Sequence, residues 1–182
     1  MSVTEPEFRR ALADFVSRVD QLGKTERWTL HKSEIGICAK QSVMIKFGKE
    51  AVNRQVHVTY NSTYGVPVLW FNFYRRDGTP LTNSEIMELS SKNGSSEIAQ
   101  YISLNEHPIL GVLFYNIHPC KTKDIMNELN GKGNYIARWL SVYGAPIGVL
   151  PPDALFNSKS LSQRSEDASQ SSDDGSLSTL EM

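Results

Sequence analysis

The chain has 182 residues, of which 40% are hydrophobic and 21% charged, with a formal net charge of −1. That length suits one domain with a tail, and the near-neutral balance argues against a dedicated nucleic-acid binder, which carries a strong basic excess. No apolar run approaches the roughly 18 residues of a membrane span, so no stable membrane insertion is expected.

The opening stretch, MSVTEPEFRRALADF, lacks the basic-then-apolar pattern of a secretory leader, so a cytoplasmic protein is expected. Thr4 and Pro6 mark a helix start, and Phe8, Leu12, Phe15, Val16 and Val19 recur at helical spacing. They predict an amphipathic helix over 5–22, ended by Gly23. Residues 27–48 alternate apolar and polar positions around Gly36, which fits one long bent strand or two short ones. In QVHVTY, Val56, Val58 and Tyr60 fall on one side and His57 and Thr59 on the other. The turn NSTYG leads into VPVLWFNFYRR, where Val68, Trp70, Asn72 and Tyr74 share one face and Leu69, Phe71 and Phe73 the other. Two such strands predict an antiparallel hairpin. Its exposed edge could receive a partner strand. Lys46, Lys49, Arg54, Arg75 and Arg76 gather around its ends as a solvated basic rim, or as a surface that steers an acidic partner.

Thr82 and Glu85 form a capping box for a short helix through about Ser91. Residues 92–109 are polar and read as a loop, and LGVLFYNI (110–117) reads as extended. Thr122 is placed to N-cap a helix over 123–130, with Asp124 in its first turn. Asn134 caps a second helix, YIARWLSVY, whose apolar side carries Ile136, Trp139, Leu140 and Tyr143 before Gly144. From Asn157 onward the chain is serine-rich and acidic with no aromatic, which predicts a disordered tail over 157–182, inert or phosphorylatable. The folded unit is then 1–156. Its helices lie at the ends of an antiparallel sheet, an α+β pattern.

The two cysteines do not make a disulfide framework, and no CxxC, HxxxH or HExxH offers a metal site, so neither a metal nor another cofactor is expected. Cys38, inside IGICA, reads as core packing. Cys120 is different. Pro119 removes a backbone donor and holds His118 extended, so the thiol sits at a rigid bend before a helix start, beside Lys121 and Lys123. A thiolate there can attack a carbonyl or thioester. His118 is a candidate base, although its neighbouring proline points to a structural role, and His107 in EHP has the same pattern. His31 and His57 read as surface or pairing residues.

The motif around the cysteine runs Ser103-Leu104-Asn105-Glu106-His107-Pro108-Ile109-Leu110-Gly111, then Phe114, then Ile117-His118-Pro119-Cys120-Lys121-Thr122. With VTYxxxYGVPVLWF upstream and NYIARWLSVYGAPIG downstream, the chain resembles the autophagy E2-like conjugating enzymes, and most of all their autophagy-related protein 10 branch. The resemblance spans about residues 5–150. It implies an E2-like (ubiquitin-conjugating-enzyme-like) antiparallel sheet flanked by helices. It also implies a reaction in which E1-like autophagy-related protein 7 hands ubiquitin-like autophagy-related protein 12 to Cys120 as a thioester. A lysine of autophagy-related protein 5 is then the acceptor.

Ordinary ubiquitin E2 enzymes carry an asparagine in an HPN motif; here the third position is the cysteine itself and no HPN occurs. A developing oxyanion still needs a donor, worth about 3 kcal/mol when preorganised. Asn105 and Tyr60 are candidates, as are Asn116 and the backbone N–H groups of Lys121 and Thr122. Two other readings stay open. One is the sister activity, transfer of a modifier to phosphatidylethanolamine, disfavoured by the compact hairpin and the acidic first helix. The other is a non-catalytic E2-like binding module, against which the intact HPC argues.

Overall fold

A computed structural model of the protein describes residues 2–23, 27–93, 96–129 and 131–156; the tail expected over 157–182 lies outside the described residues. Helix α1 (Glu5–Gln21) starts at Thr4, whose hydroxyl accepts the Glu7 amide while Glu7 returns a bond to the Thr4 backbone. Phe8, Leu12, Phe15 and Val19 form its buried stripe, as the spacing predicts.

The segment before residue 48 resolves into two strands, β1 (Trp28–Lys32) and β2 (Ile37–Phe47). Gly48, at φ 59°, makes the tight turn into β3 (Glu50–Asn61), a conformation that favours glycine. The predicted hairpin is β3 with β4 (Val66–Tyr74), in register from Asn53↔Tyr74 to Asn61↔Val66. Strands β5 (Ile102–Glu106) and β6 (Leu113–Ile117) complete an antiparallel sheet of order β1-β2-β3-β4-β6-β5. Helix α2 (Asn83–Lys92) carries the expected Thr82–Glu85 capping box. Helices α3 (Ser96–Ala99), α4 (Thr122–Glu128) and α5 (Tyr135–Tyr143) complete the α+β architecture.

One sheet face packs on α1 and α5. Val56, Val58, Leu69, Phe71 and Phe73 enter the main core with Ile136, Trp139, Leu140 and Tyr143. The alternation in β4 is therefore as read: its other side sends Val68 and Trp70 into a smaller cluster with Phe114.

Several expectations are corrected. Residues 92–109 are not a loop, because α3 and β5 lie within them. Strand β5 is an edge strand with no fully buried residue, so no apolar alternation marks it. Part of the β3–β4 hairpin's edge is already taken by neighbouring strands. Strand β2 covers β3 from Ala39↔Val58 to Phe47↔Glu50, and β6 pairs with β4 at Trp70 and Phe71. Arg54 is not part of a solvated rim: it is 2% exposed, and its guanidinium donates to the carbonyls of Ile147 and Gly148 and to Gln41 Oε1. Arg75 pairs with Glu50 and Glu85, bracing the end of β4 against α2. Of the surface and pairing readings of His57 the structure takes the second: it is buried, and in β3 it stands opposite Lys40 and Trp70.

Candidate active site at Cys120

Strand β6 runs into His118, and Pro119–Lys121 form a single 3-10 turn that passes directly into α4. Pro119 is buried and Cys120 is exposed, so the turn is anchored beneath and presents its thiol outward. The His118 backbone N–H donates to Tyr101 O at 2.9 Å, which ties the turn to the start of β5. His118 Nδ1 accepts the Cys120 backbone N–H at 3.3 Å. That bond makes the imidazole a cap for the turn, the structural role its neighbouring proline suggests. The ring also meets Tyr64 of the β3–β4 turn edge-on, centroids 5.6 Å apart. Tyr64 belongs to the VTYxxxYGVPVLWF motif but is not singled out as a site residue by sequence, because turn residues between strands are expected to be solvent material.

Thr122 is placed differently from the expectation. It is the first residue of α4 rather than its N-cap; Lys121 holds that position, with no side-chain cap. The Thr122 hydroxyl is fully buried and bonds to Tyr143 Oη at 2.9 Å. Its backbone N–H donates to Pro119 O and closes the 3-10 turn, which removes it from the pool of oxyanion donors.

Asn105 lies on β5 in a polar cluster. Its Nδ2 donates to Asn116 Oδ1 at 2.7 Å and to Ser103 Oγ at 2.9 Å, and Asn116 is two residues ahead of His118. Tyr60 is half-buried near the end of β3, where its hydroxyl donates to Val3 O at 2.9 Å and its ring packs on Phe8. It lines a small groove with Pro108 and Ile109 of the β5–β6 turn. The structure thus unites His118, Cys120 and Thr122 in one turn. It links Asn105 to that turn through the asparagine cluster, and Tyr60 through the β3–β4 turn that carries Tyr64.

His107 is buried beside the site rather than in it. Its Nδ1 accepts the backbone N–H groups of Ile109 and Leu110, and its Nε2 faces His57 Nδ1 at 3.1 Å. Burial pushes His107 down to about 4 and His57 down to about 3, so both rings are neutral at pH 7. Cys38 is fully buried, and burial pushes its thiol up, as suits a packing residue. Among the described residues no group of three His, Cys, Asp or Glu is placed to hold a metal ion, and no helix is long and apolar enough to cross a membrane.

The six-stranded antiparallel sheet with its helices matches a known fold. A solved structure described as that of an autophagic E2, Atg10, superposes with a TM-score of 0.54 at 17% identity, covering 79% of this chain and 94% of that one. The fold is therefore that of the E2-like class. The chain belongs to the family described as "Autophagocytosis associated protein, active-site domain", which matches residues 39–154 and so includes Cys120. It is 35% identical over 126 residues to the human protein named ubiquitin-like-conjugating enzyme ATG10, covering 63% of this chain and 57% of that one. The Dictyostelium discoideum protein of the same name is 37% identical over 125 residues, covering 57% and 54%. The matches thus span little more than half the length of these relatives.

Proposed function

We propose that this protein is an E2-like conjugating enzyme that carries ubiquitin-like autophagy-related protein 12 as a thioester on Cys120 and transfers it to a lysine of autophagy-related protein 5, in the cytoplasm during autophagosome formation. The observation that carries the reading is the exposed Cys120 on a turn whose flanking residues, Pro119 and Thr122, are buried. The family match over that residue supports it.

In the first step the Cys120 thiolate attacks the thioester carbonyl on E1-like autophagy-related protein 7. A new C–S bond forms to Cys120, the old C–S bond breaks, and the E1 cysteine leaves as thiolate. One thioester replaces another, so direction comes from upstream ATP use and from differential binding. In the second step an acceptor lysine amine attacks the same carbonyl. The C–N bond forms, the C–S bond breaks with its electron pair on Cys120, and the proton the amine gives up ends on that departing thiolate. An amide replaces a thioester, which is downhill. In this reading Asn105 and Tyr60 supply donors to the oxyanion by exchanging their present acceptors for it. His118 and Thr122 hold the turn.

The test is a non-reducing gel of the reconstituted E1, ATP and modifier reaction. The wild-type chain and Cys38→Ser form a reductant-sensitive adduct. Cys120→Ser gives a reductant-stable oxyester, and Cys120→Ala gives none. Conjugate formed by Cys120→Ala overturns the proposal.

A further inference from the structure

The turn that carries Cys120 is held from below by a residue 23 positions away in sequence. Thr122 is fully buried, and its hydroxyl meets the hydroxyl of Tyr143, 2% exposed, at 2.9 Å. Nothing in the local sequence around the cysteine requires this bond. A threonine that only started α4 would turn its hydroxyl to the helix's own free amides or to solvent. This one reaches across to another helix instead.

The far end of the bond is rigid. Tyr143 is the last residue of α5, and its ring stacks on Trp139, itself fully buried, with centroids 5.4 Å apart and planes 17° from parallel. Gly144 follows, where the backbone amide of Val149 donates to its carbonyl. A Cβ at Gly144 would collide with the Val149 carbonyl, so the chain is drawn tight at this point. Burial pushes the Tyr143 phenol up to about 12, so it remains a neutral hydroxyl, and the charge of Cys120 acts in the same direction.

We propose that Thr122 and Tyr143 are a positioning pair for Cys120: the buried hydroxyl–hydroxyl bond transmits the rigidity of α5 to the 3-10 turn and sets the angle at which the thiol meets a thioester carbonyl. The inference rests on the reading of Cys120 as the thioester cysteine. Neither residue touches the reacting atoms. The turn is held on its other side by the His118 amide on Tyr101 O, so Cys120 and Lys121 are suspended between two fixed points. Removing one hydroxyl leaves the fold and the outer surface intact but frees one of those points. A misplacement on the order of 1 Å costs a transfer reaction up to about 100-fold, so a partial loosening is expected to cost about 10-fold.

The experiment uses the full chain and separates the two steps. Cys120 is first charged by E1, ATP and modifier; the E1 is then quenched and discharge to the acceptor protein is followed at several acceptor concentrations. Tyr143→Phe keeps the ring and removes the hydroxyl. Thr122→Val keeps the shape and removes the other hydroxyl, and Thr122→Ser restores it. The expected result is a maximal discharge rate about 10-fold lower in Tyr143→Phe and in Thr122→Val. The acceptor concentration for half-maximal rate stays unchanged. The double variant is no slower than either single variant, because the two hydroxyls act as one unit. Thr122→Ser recovers most of the rate lost in Thr122→Val. Discharge at the wild-type rate in Tyr143→Phe overturns the proposal, as does an equal fall in Thr122→Ser and Thr122→Val. Should Thr122→Val melt below the assay temperature, Tyr143→Phe and Thr122→Ser decide the matter alone. A wild-type chain that never charges on Cys120 defeats the underlying reading instead, and is recognised because no thioester exists to discharge.

Discussion

At the residue scale the protein separates two thiols by their surroundings. Cys38 faces the interior from β2 with no exposed surface, and Cys120 stands on an exposed turn. A thiol is alkylated through its accessible thiolate, and burial opposes both access and ionisation at Cys38. Iodoacetamide applied to the native protein is therefore expected to add one group, on Cys120, and a second only after denaturation; peptide mass spectrometry locates each. Equal labelling of Cys38 in the native state would mean that β2 opens. This division was legible in the sequence, since IGICA is apolar and HPCKT is not. The partners of the site residues were not. Local pattern shows that Thr122 is polar and near a helix start, and the cap reading follows; that its hydroxyl is buried against Tyr143 depends on how α5 returns to the sheet. Asn105 is legible only as a polar group ahead of EHP in a stretch that reads as loop, whereas its commitment to Asn116 and Ser103 is a product of β5–β6 pairing.

At the element scale, segments with a strong apolar period or a capping signal are legible in the sequence, and a segment with neither is not. Helices α1 and α5 each bury an apolar stripe, and β4 of the hairpin buries both of its faces. Strand β5 sits at the sheet edge, where packing places no periodic demand on its side chains, so its sequence reads as loop. Arg54 marks the opposite failure. It follows the core side of β3, two residues before Val56, and a charged residue in that register reads as surface. The chain buries it because the 3-10 turn Ala145–Ile147, after α5, needs donors for its carbonyls. One guanidinium supplies them to Ile147 and Gly148 while binding Gln41. Arg54→Met keeps the bulk but strands those acceptors in the interior, which costs about 2–4 kcal/mol. Urea denaturation is expected to show a midpoint lowered accordingly with an unchanged slope. Gln41→Leu, which removes a single acceptor, should cost less than Arg54→Met. A midpoint unchanged in Arg54→Met would mean that the loop after α5 is held by packing alone.

At the scale of the whole molecule the buried histidine pair couples folding to pH. His57 projects from the outer side of β3 and His107 closes the β5–β6 turn over it, with Trp70 and Phe114 packed around both rings. Of the surface and pairing readings of His57 only the surface one fails here, because the covering His107 lies 50 positions further along the chain. Local alternation shows which face a side chain takes, not whether a distant turn will cover that face. The hydrogen bonds require neutral rings. His107 Nδ1 accepts two backbone N–H groups, so its proton sits on Nε2 and points at His57 Nδ1. A proton added to His107 Nδ1 meets two donors, and one added to His57 Nδ1 meets the Nε2–H. Burial is the main cause holding both rings well below their ordinary 6.5, with Lys40 near both and His31 near His57 adding to it. The unfolded chain therefore binds these protons first as pH falls. Their contribution to stability is complete above about pH 6.5 and declines as pH drops towards about 4 and then about 3. Each histidine adds a slope of up to about 1.4 kcal/mol per pH unit in that window. Urea midpoints measured between about pH 7.5 and pH 5, above most carboxylate titration, are expected to fall steadily on the acid side. The double variant His57→Gln/His107→Asn keeps acceptors in the turn but cannot titrate, and should flatten that fall while lowering the midpoint at neutral pH. A wild-type midpoint constant from pH 6.5 to 5 would mean that the pair is protonated or solvated in the folded protein.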